Sequence, residues 1–368
     1  MNKINYKSVP IKRIGKVVTG KTPATAHKEF YDGQYMFISP TELHGGYFVK
    51  KSEKTLTEAG LKSVKSNSID GTSILVGCIG WDMGNVAMCN EKCATNQQIN
   101  SITEIKEEYN PYYVYYWLCG KKEYLFSIAS VTRTPILSKS VFEEVLVPLP
   151  EKKQQDNVVN ILLRIDKKIA LNEQINDNLE QQMHLIFEDM MAKATNNKIK
   201  GEFIVAKSLT QVITGKEDAN FSVSNGKYKF FTCSNTPLHC DEYAFNSSSV
   251  LIAGNGDFNV KHYSGKFNAY QRTYVLSPQK EYYAILYLAA LYRINSFKTG
   301  SSGSIVKFIT KSDVENIPVF MPHDSKYLDE LNKLVIMQEQ NMLENELLVQ
   351  LRDWLLPMLM NGQATISD

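Results

Sequence analysis

Gly15–Thr22, GKVVTGKT, has the spacing of a phosphate-binding loop, in which backbone N–H groups at the start of a helix surround a nucleoside phosphate. Such a loop must follow a buried strand and open a helix. Here KRI precedes it, Val17 and Val18 fill its interior and Pro23 follows at once, so the segment is expected to be a strand and a turn. Asn110–Tyr113, NPYY, lacks the second proline of the N-P-P-[FY] site at which amino-methyltransferases hold a flipped base, and no glycine-rich cofactor loop precedes it. An N-cap at Asn110 with Pro111 at the first helical position accounts for the same residues. Cys78, Cys89, Cys93, Cys119, Cys233 and Cys240 do not space like a disulfide framework, and neither Cys89-x3-Cys93 nor His239–Cys240 has the second ligand pair of a zinc site. The histidines are scattered, and no nuclease-like carboxylate cluster or nucleophile elbow occurs. The expectation is a chain with no active site, metal or cofactor of its own.

What remains are turn-rich loops whose side chains suit phosphates and base edges. In the first half these are Lys21, Thr22, Ser39, Thr41, Trp81, Asn85, Asn96, Gln97, Gln98, Thr132 and Arg133. In the second they are Lys216, Ser234, Asn235, Asn255, Asn259, Lys261, Gln271, Arg272, Ser301, Ser302 and Ser304. Asn and Gln can bond adenine bidentately, Arg and Lys favour guanine, and Ser and Thr anchor phosphates. Taken singly, each is also an ordinary polar loop residue. Lys21 and Arg272 join charge to a turn-rich setting and are the best single candidates.

Two kinds of element would position these loops. Short β-like runs (KVVTG, YMFIS, TSILVG, VLVPL; then QVITG, YKFFTC, SVLIAG, RTYVLS) alternate with Gly, Asn and Ser turn signals. One helix is expected in each half, at YYVYYWLCG and at EYYAILYLAALYR. Each half then leads into a long heptad-patterned helix. The first has Leu162, Ile165, Ile169, Asn172, Asn176, Leu179, Met183, Ile186 and Met190 at 3-4 spacing, interrupted by two asparagines of the kind that fix register. The second has Leu331, Leu334, Leu343, Leu347, Leu351, Trp354 and Met358. The expected domains are 1–150, a helix over 151–195, a linker and second domain over 196–322, and a helix and tail over 323–368. Lys and Arg exceed Asp and Glu by 4 in residues 1–150 and by 3 in 201–322, while 323–368 carries a net −5. Nucleic acid suits the former and a protein partner the latter. Nothing resembles a signal peptide or a membrane span of ~18 apolar residues, so a cytoplasmic protein is expected.

The chain repeats itself. PILSKSVFEEVLVPLP, ending at Pro150, returns as KFITKSDVENIPVFMP, ending at Pro322. Lys12…ThrGlyLys (19–21) returns as Lys207…ThrGlyLys (214–216), and SILVGCIG (73–80) as SVLIAGNG (249–256). A globular unit plus a long helix, given twice, predicts an α+β chain with a pseudo-twofold internal repeat: two similar, mainly-β domains separated by two long antiparallel helices forming a coiled-coil spacer.

These opening turns, the Lys-Ser…Pro phrases and the terminal LRDWLLPMLMNGQATI together resemble the specificity subunit of type I restriction–modification systems, over essentially the whole chain. The helix starts, GluLysLysGlnGlnAsp and HisAspSerLys, depart from the plainer Glu-Gln of the family. The resemblance implies two target-recognition domains, each reading one half of a bipartite asymmetric DNA site. It implies helices that set the gap and dock two modification subunits, through residues such as Leu162, Ile165, Ile169, Leu179, Met183, Leu347, Leu351 and Trp354. S-adenosylmethionine would belong to those subunits, and ATP and Mg to any restriction subunit. The rival expectations are a protein-only coiled-coil adaptor and a self-contained DNA methyltransferase or ATPase.

Overall fold

A computed structural model describes residues 5–44, 46–130, 133–256, 258–299 and 308–363. The chain forms two compact units, Met1–Ile169 with Leu347–Asp368, and Ala170–Glu346. Each therefore contains one globular portion and a stretch of both long helices, Lys152–Thr195 and Lys326–Met360. Among the described residues no helix is long and apolar enough to cross a membrane.

The first unit holds strands β1 (Lys7–Pro10), β2 (Lys16–Thr19), β3 (Tyr31–Ile38), β4 (Lys54–Leu56), β5 (Ser68–Ile69), β6 (Ser73–Gly77), β7 (Val86–Cys89), β8 (Cys93–Thr95), β9 (Ile99–Thr103) and β10 (Leu146–Leu149). One sheet runs β2-β9-β6-β7 and a second β4-β3-β8-β5. The second unit holds β11 (Gly201–Val205), β12 (Val212–Thr214), β13 (Tyr228–Phe231), β14 (Leu238–Cys240), β15 (Phe245–Ala253), β16 (Val260–Ala269), β17 (Thr273–Leu276) and β18 (Pro318–Pro322), with one six-stranded sheet β12-β17-β15-β16-β13-β14 beside the two-stranded β11–β18. The two arrangements are one topology. β15 covers what β5 and β6 cover, and β16 what β7 and β8 cover. In the first unit Gly71, at φ +76°, lies between β5 and β6 and breaks the strand that β15 continues. Each unit keeps one parallel pair at the equivalent place, β3 with β8 and β13 with β16.

The repeated phrase has a structural cause. Ser138 and Thr310 are N-caps: Ser138 Oγ accepts from the Val141 N–H, and Thr310 forms a full capping box with Asp313. The short helices they start, Lys139–Glu143 and Lys311–Glu315, end just before Val145 and Ile317, which are buried. The carbonyls of these two residues accept from the N–H groups of Ile11 and Ala206 (3.0 Å each), closing each unit beside its β1–β10 or β11–β18 ribbon.

In the first unit the helix Pro111–Cys119 buries nearly its whole surface, as does Tyr283–Thr299 over its first eight residues in the second. Both tie to the long helices through tyrosines. Tyr116 Oη donates to Asp166 Oδ2 (2.5 Å), and Arg352 Nη1 donates to Asp166 Oδ1 (3.0 Å). In the second unit Tyr283 Oη donates to Glu339 Oε1 (2.5 Å) and Tyr287 Oη to Glu180 Oε1 (2.8 Å). Burial and the adjacent carboxylates push these phenols well above the ordinary tyrosine range.

Within each unit the long-helix segments run antiparallel. In the second, Asn172 Nδ2 donates to Glu344 Oε2 (2.7 Å) and Asn345 Oδ1 (2.8 Å), and Asn341 Nδ2 to Asn176 Oδ1 (2.8 Å), while Lys193 meets Tyr327. The two asparagines thus form the register-fixing layer expected of them. In the first, Asp166 meets Arg352, and Leu162 shares one buried core with Leu359 and Met360.

The second helix corrects its predicted stripe. Leu331 is buried, but Leu343, Leu347, Leu351 and Trp354 are 59, 57, 42 and 64% exposed. The face turned inward carries Val335, Gln338, Asn345 and Arg352 instead, because polar side chains bonded across the pair, to Glu180, Asn172 and Asp166, occupy it.

Candidate nucleic-acid interface

The candidate residues gather at one end of each sheet because the strands that precede them end there. In the first unit this is the C-terminal end of β2, β3, β6 and β8. The Gly20 N–H donates to Ile99 O (3.0 Å), Asn96 N–H to Ile38 O (2.9 Å), Cys78 N–H to Gln98 O (2.7 Å) and Leu137 N–H to Cys78 O (2.9 Å). The second unit repeats all four bonds: Gly215 N–H to Thr273 O (3.1 Å), Tyr270 N–H to Phe231 O (2.9 Å), Gly254 N–H to Arg272 O (2.8 Å) and Ile309 N–H to Gly254 O (2.8 Å). Position by position, Lys21 matches Lys216, Gln97 matches Gln271 and Gln98 matches Arg272. Asn96 matches Tyr270.

The ThrGlyLys turns follow from packing. A Cβ on Gly20 would stand 2.1 Å from Asn96 O, and one on Gly215 would stand 2.0 Å from Ala269 O. Only glycine lets the turn press against the next strand, and this presents Lys21 and Lys216 to solvent. The match to a phosphate-binding loop is a strand, β2, followed by a turn that opens no helix; the next element is the short 3-10 helix Lys28–Phe30, further along the chain. Asn110 is the N-cap of Pro111–Cys119, its Oδ1 accepting from Tyr112 N–H at 2.9 Å.

In the first unit Thr22 Oγ1 donates to Gln97 Oε1 (2.8 Å), and Asn96 Nδ2 to Gln98 Oε1 (3.0 Å), so the glutamines are held before any ligand arrives. Asn85 is engaged by Lys122 Nζ (2.8 Å) and faces His44 Nε2 (3.2 Å). Thr41, Trp81 and Arg133 are exposed. Ser39 is the weakest member, since its hydroxyl and N–H both donate to Glu42 Oε2 (2.6 and 2.8 Å). Thr132 lies outside the described residues.

In the second unit Asn255, Gln271 and Arg272 line a cleft of about 490 Å³ with Gly254, Tyr274, Phe308 and Ile309. Asn259 Nδ2 donates to Cys233 O (2.7 Å), which places Ser234 and Asn235 beside this end. Lys261 donates to Asn259 Oδ1, and burial lowers its ammonium to about 8. Ser301, Ser302 and Ser304 lie outside the described residues.

Sequence reasoning missed Tyr270, Lys122 and His44. Tyr270 was legible in the repeat register, as the counterpart of Asn96. Lys122 had no signal, because its contact with Asn85 comes from a distant helix. The expected docking residues differ in exposure. Leu162, Ile165, Leu179 and Met183 are buried in the packing of their own units and Ile169 is half-buried, whereas Leu347, Leu351 and Trp354 are exposed.

Two homologous units, each with a polar loop end built on the same backbone bonds and furnished with different side chains, define a duplicated recognition protein. The type I restriction modification DNA specificity domain matches residues 3–181 and 200–347, and the chain belongs to that family. It is 37% identical over 164 residues to the specificity subunit of the Escherichia coli type I restriction enzyme EcoDI, covering 43% of this chain and 37% of that protein. It is 23% identical over 406 residues to the MjaIX specificity subunit of Methanocaldococcus jannaschii, covering 97% of this chain and 93% of that one. The crystal structure of the type I S subunit from M. genitalium shares the fold, with a TM-score of 0.59 and 17% identity over 100% of this chain and 98% of that one.

Proposed function

We propose that this chain is the non-catalytic, DNA-reading subunit of a cytoplasmic type I restriction–modification complex. Each unit reads one half of a bipartite, asymmetric double-stranded site. The long helices set the gap between half-sites and dock two modification subunits, which bring S-adenosylmethionine. Restriction subunits, where present, join through that complex with ATP and Mg. The chain itself carries no cofactor.

The observation that carries this reading is the equivalence of the two loop ends. Identical backbone bonds hold Gln98 in one unit and Arg272 in the other at the same place. Gln suits adenine and Arg suits guanine, so one scaffold presents two different readers. On the helices, Leu347, Leu351 and Trp354 lie on one exposed face at i, i+4 and i+7, a fitting surface for a subunit. The test is reciprocal. Gln98→Ala should relax one base in one half-site only, and Arg272→Ala one base in the other, each with a discrimination loss of about 1–3 kcal/mol. If either variant relaxes both half-sites, or neither, the assignment of one unit to each half is wrong.

A further inference from the structure

We propose that Trp81 is an aromatic wedge that stacks on a base of the half-site read by the first unit, so that this unit recognises DNA partly by unstacking it. The inference rests on the DNA-reading function above and adds a mode of contact and an asymmetry between the units.

Trp81 is 80% exposed, an unusual place for the largest apolar side chain. Its turn is nevertheless firmly rooted. Met83 is fully buried, Gly84 N–H donates to Gly77 O (2.9 Å), Met83 N–H to Gly80 O (3.2 Å), and Gly80 N–H to Pro135 O (2.9 Å). Gly80 and Gly84 sit at φ +85° and +83°, which most side chains resist, so the shape of the turn is specified. The indole rests on Phe126, with centroids 5.9 Å apart and planes 28° apart. A rigid aromatic already propped in place loses little freedom on binding.

Its surroundings favour a base over a protein surface. The turn starts where Cys78 N–H holds Gln98 O, so Trp81 belongs to the same loop end as the candidate adenine reader. Lys122 reaches Asn85 at the far side of the turn, and exposed Arg133 lies two residues before the Pro135 that anchors it. Cations flanking an aromatic suit a phosphate–base pair of contacts, and a π face accepts any base without reading its edge. The second unit keeps the turn's glycine, Gly256 at φ +72°, but follows it with Asp257. There the neighbouring cleft offers Asn255, Gln271 and Arg272, which are readers of edges.

The experiment uses the full chain coexpressed with its modification subunit and a duplex carrying the mapped site. Trp81→Ala should weaken DNA binding about tenfold or more, and Trp81→Phe should retain most of the affinity. A mismatch at the opened step should restore much of the loss in Trp81→Ala, because that step no longer has to be opened. With 2-aminopurine placed outside the methylated adenines, fluorescence should change in one half-site only, for wild type and Trp81→Phe but not for Trp81→Ala. Wild-type binding and methylation by Trp81→Ala would overturn the inference, as would loss of the modification subunit with unchanged DNA affinity per assembled complex. A wild-type complex with no sequence-dependent DNA binding would instead overturn the underlying functional reading.

Discussion

Removing the carboxylate of Asp166 should damage the first unit far more than removing the whole ion pair. Asp166 is 3% exposed and accepts both from Tyr116 Oη (2.5 Å) and from Arg352 Nη1 (3.0 Å). Asp166→Leu leaves the buried Tyr116 phenol and Nη1 of the part-buried guanidinium without their acceptor, while Asp353 still holds Nε and Nη2 (3.0 and 2.9 Å), which should cost about 3 kcal/mol. Tyr116→Phe deletes one hydrogen bond to a charged group and should cost about 1.5–3 kcal/mol. The triple variant Asp166→Leu, Arg352→Met, Tyr116→Phe removes every group that needs a partner, and should recover at least ~2 kcal/mol relative to Asp166→Leu alone. The assay is urea denaturation of the full chain in a Trp81→Phe/Trp354→Phe background. Trp117, next to Tyr116 and 6% exposed, then reports on this unit. Additive losses, with the triple variant the least stable, would refute the idea that the helix is joined to its unit through a buried polar node.

Two further outcomes follow from particular residues. Lys261, lowered to about 8 by burial, loses its charge as pH rises through that value, while a bound phosphate would favour the charged form. DNA affinity should therefore fall above pH 8, by up to about tenfold per pH unit, and Lys261→Met should flatten the profile measured by anisotropy titration. The stability effect has the opposite sense: the folded value lies below the unfolded one, so Lys261 weakens the fold below pH 8 and ceases to as pH rises towards the ordinary lysine range. Gly215→Ala should lower the melting temperature of the second unit and displace Lys216, because the new Cβ would meet the Ala269 carbonyl at 2.0 Å. An unchanged melting curve with intact DNA binding would show that the turn tolerates a side chain.

The repeat was legible because its phrases encode caps and buried anchors. Ser138 and Thr310 start equivalent helices, and Val145 and Ile317 fill equivalent core positions, so local chemistry and sequence spacing agree. The asparagine layer was legible for the same reason, as a polar break in an otherwise strict apolar stripe. The second helix was not, since its apolar residues from Leu343 to Trp354 face solvent while Gln338, Asn345 and Arg352 turn inward. An apolar stripe marks a buried face only if its partner lies within the same chain, and hydrophobicity alone does not say which partner that is. Nor could spacing show that one broken strand pair in the first unit, β5–β6 beside β7–β8, corresponds to the continuous β15–β16 pair, because the breaks fall in short turns, one of them at Gly71 with its positive φ, that carry no periodic signal. The loop residues were identified by type, but their grouping into two equivalent ends required the matching backbone bonds.

The most direct measurement is the adenine methylation pattern left by this chain coexpressed with its modification subunit, mapped by single-molecule sequencing across a plasmid library. One split motif with a fixed gap is expected, carrying one methylated adenine in each half on opposite strands. Methylation at a short continuous motif, or none from a well-folded complex, would contradict it.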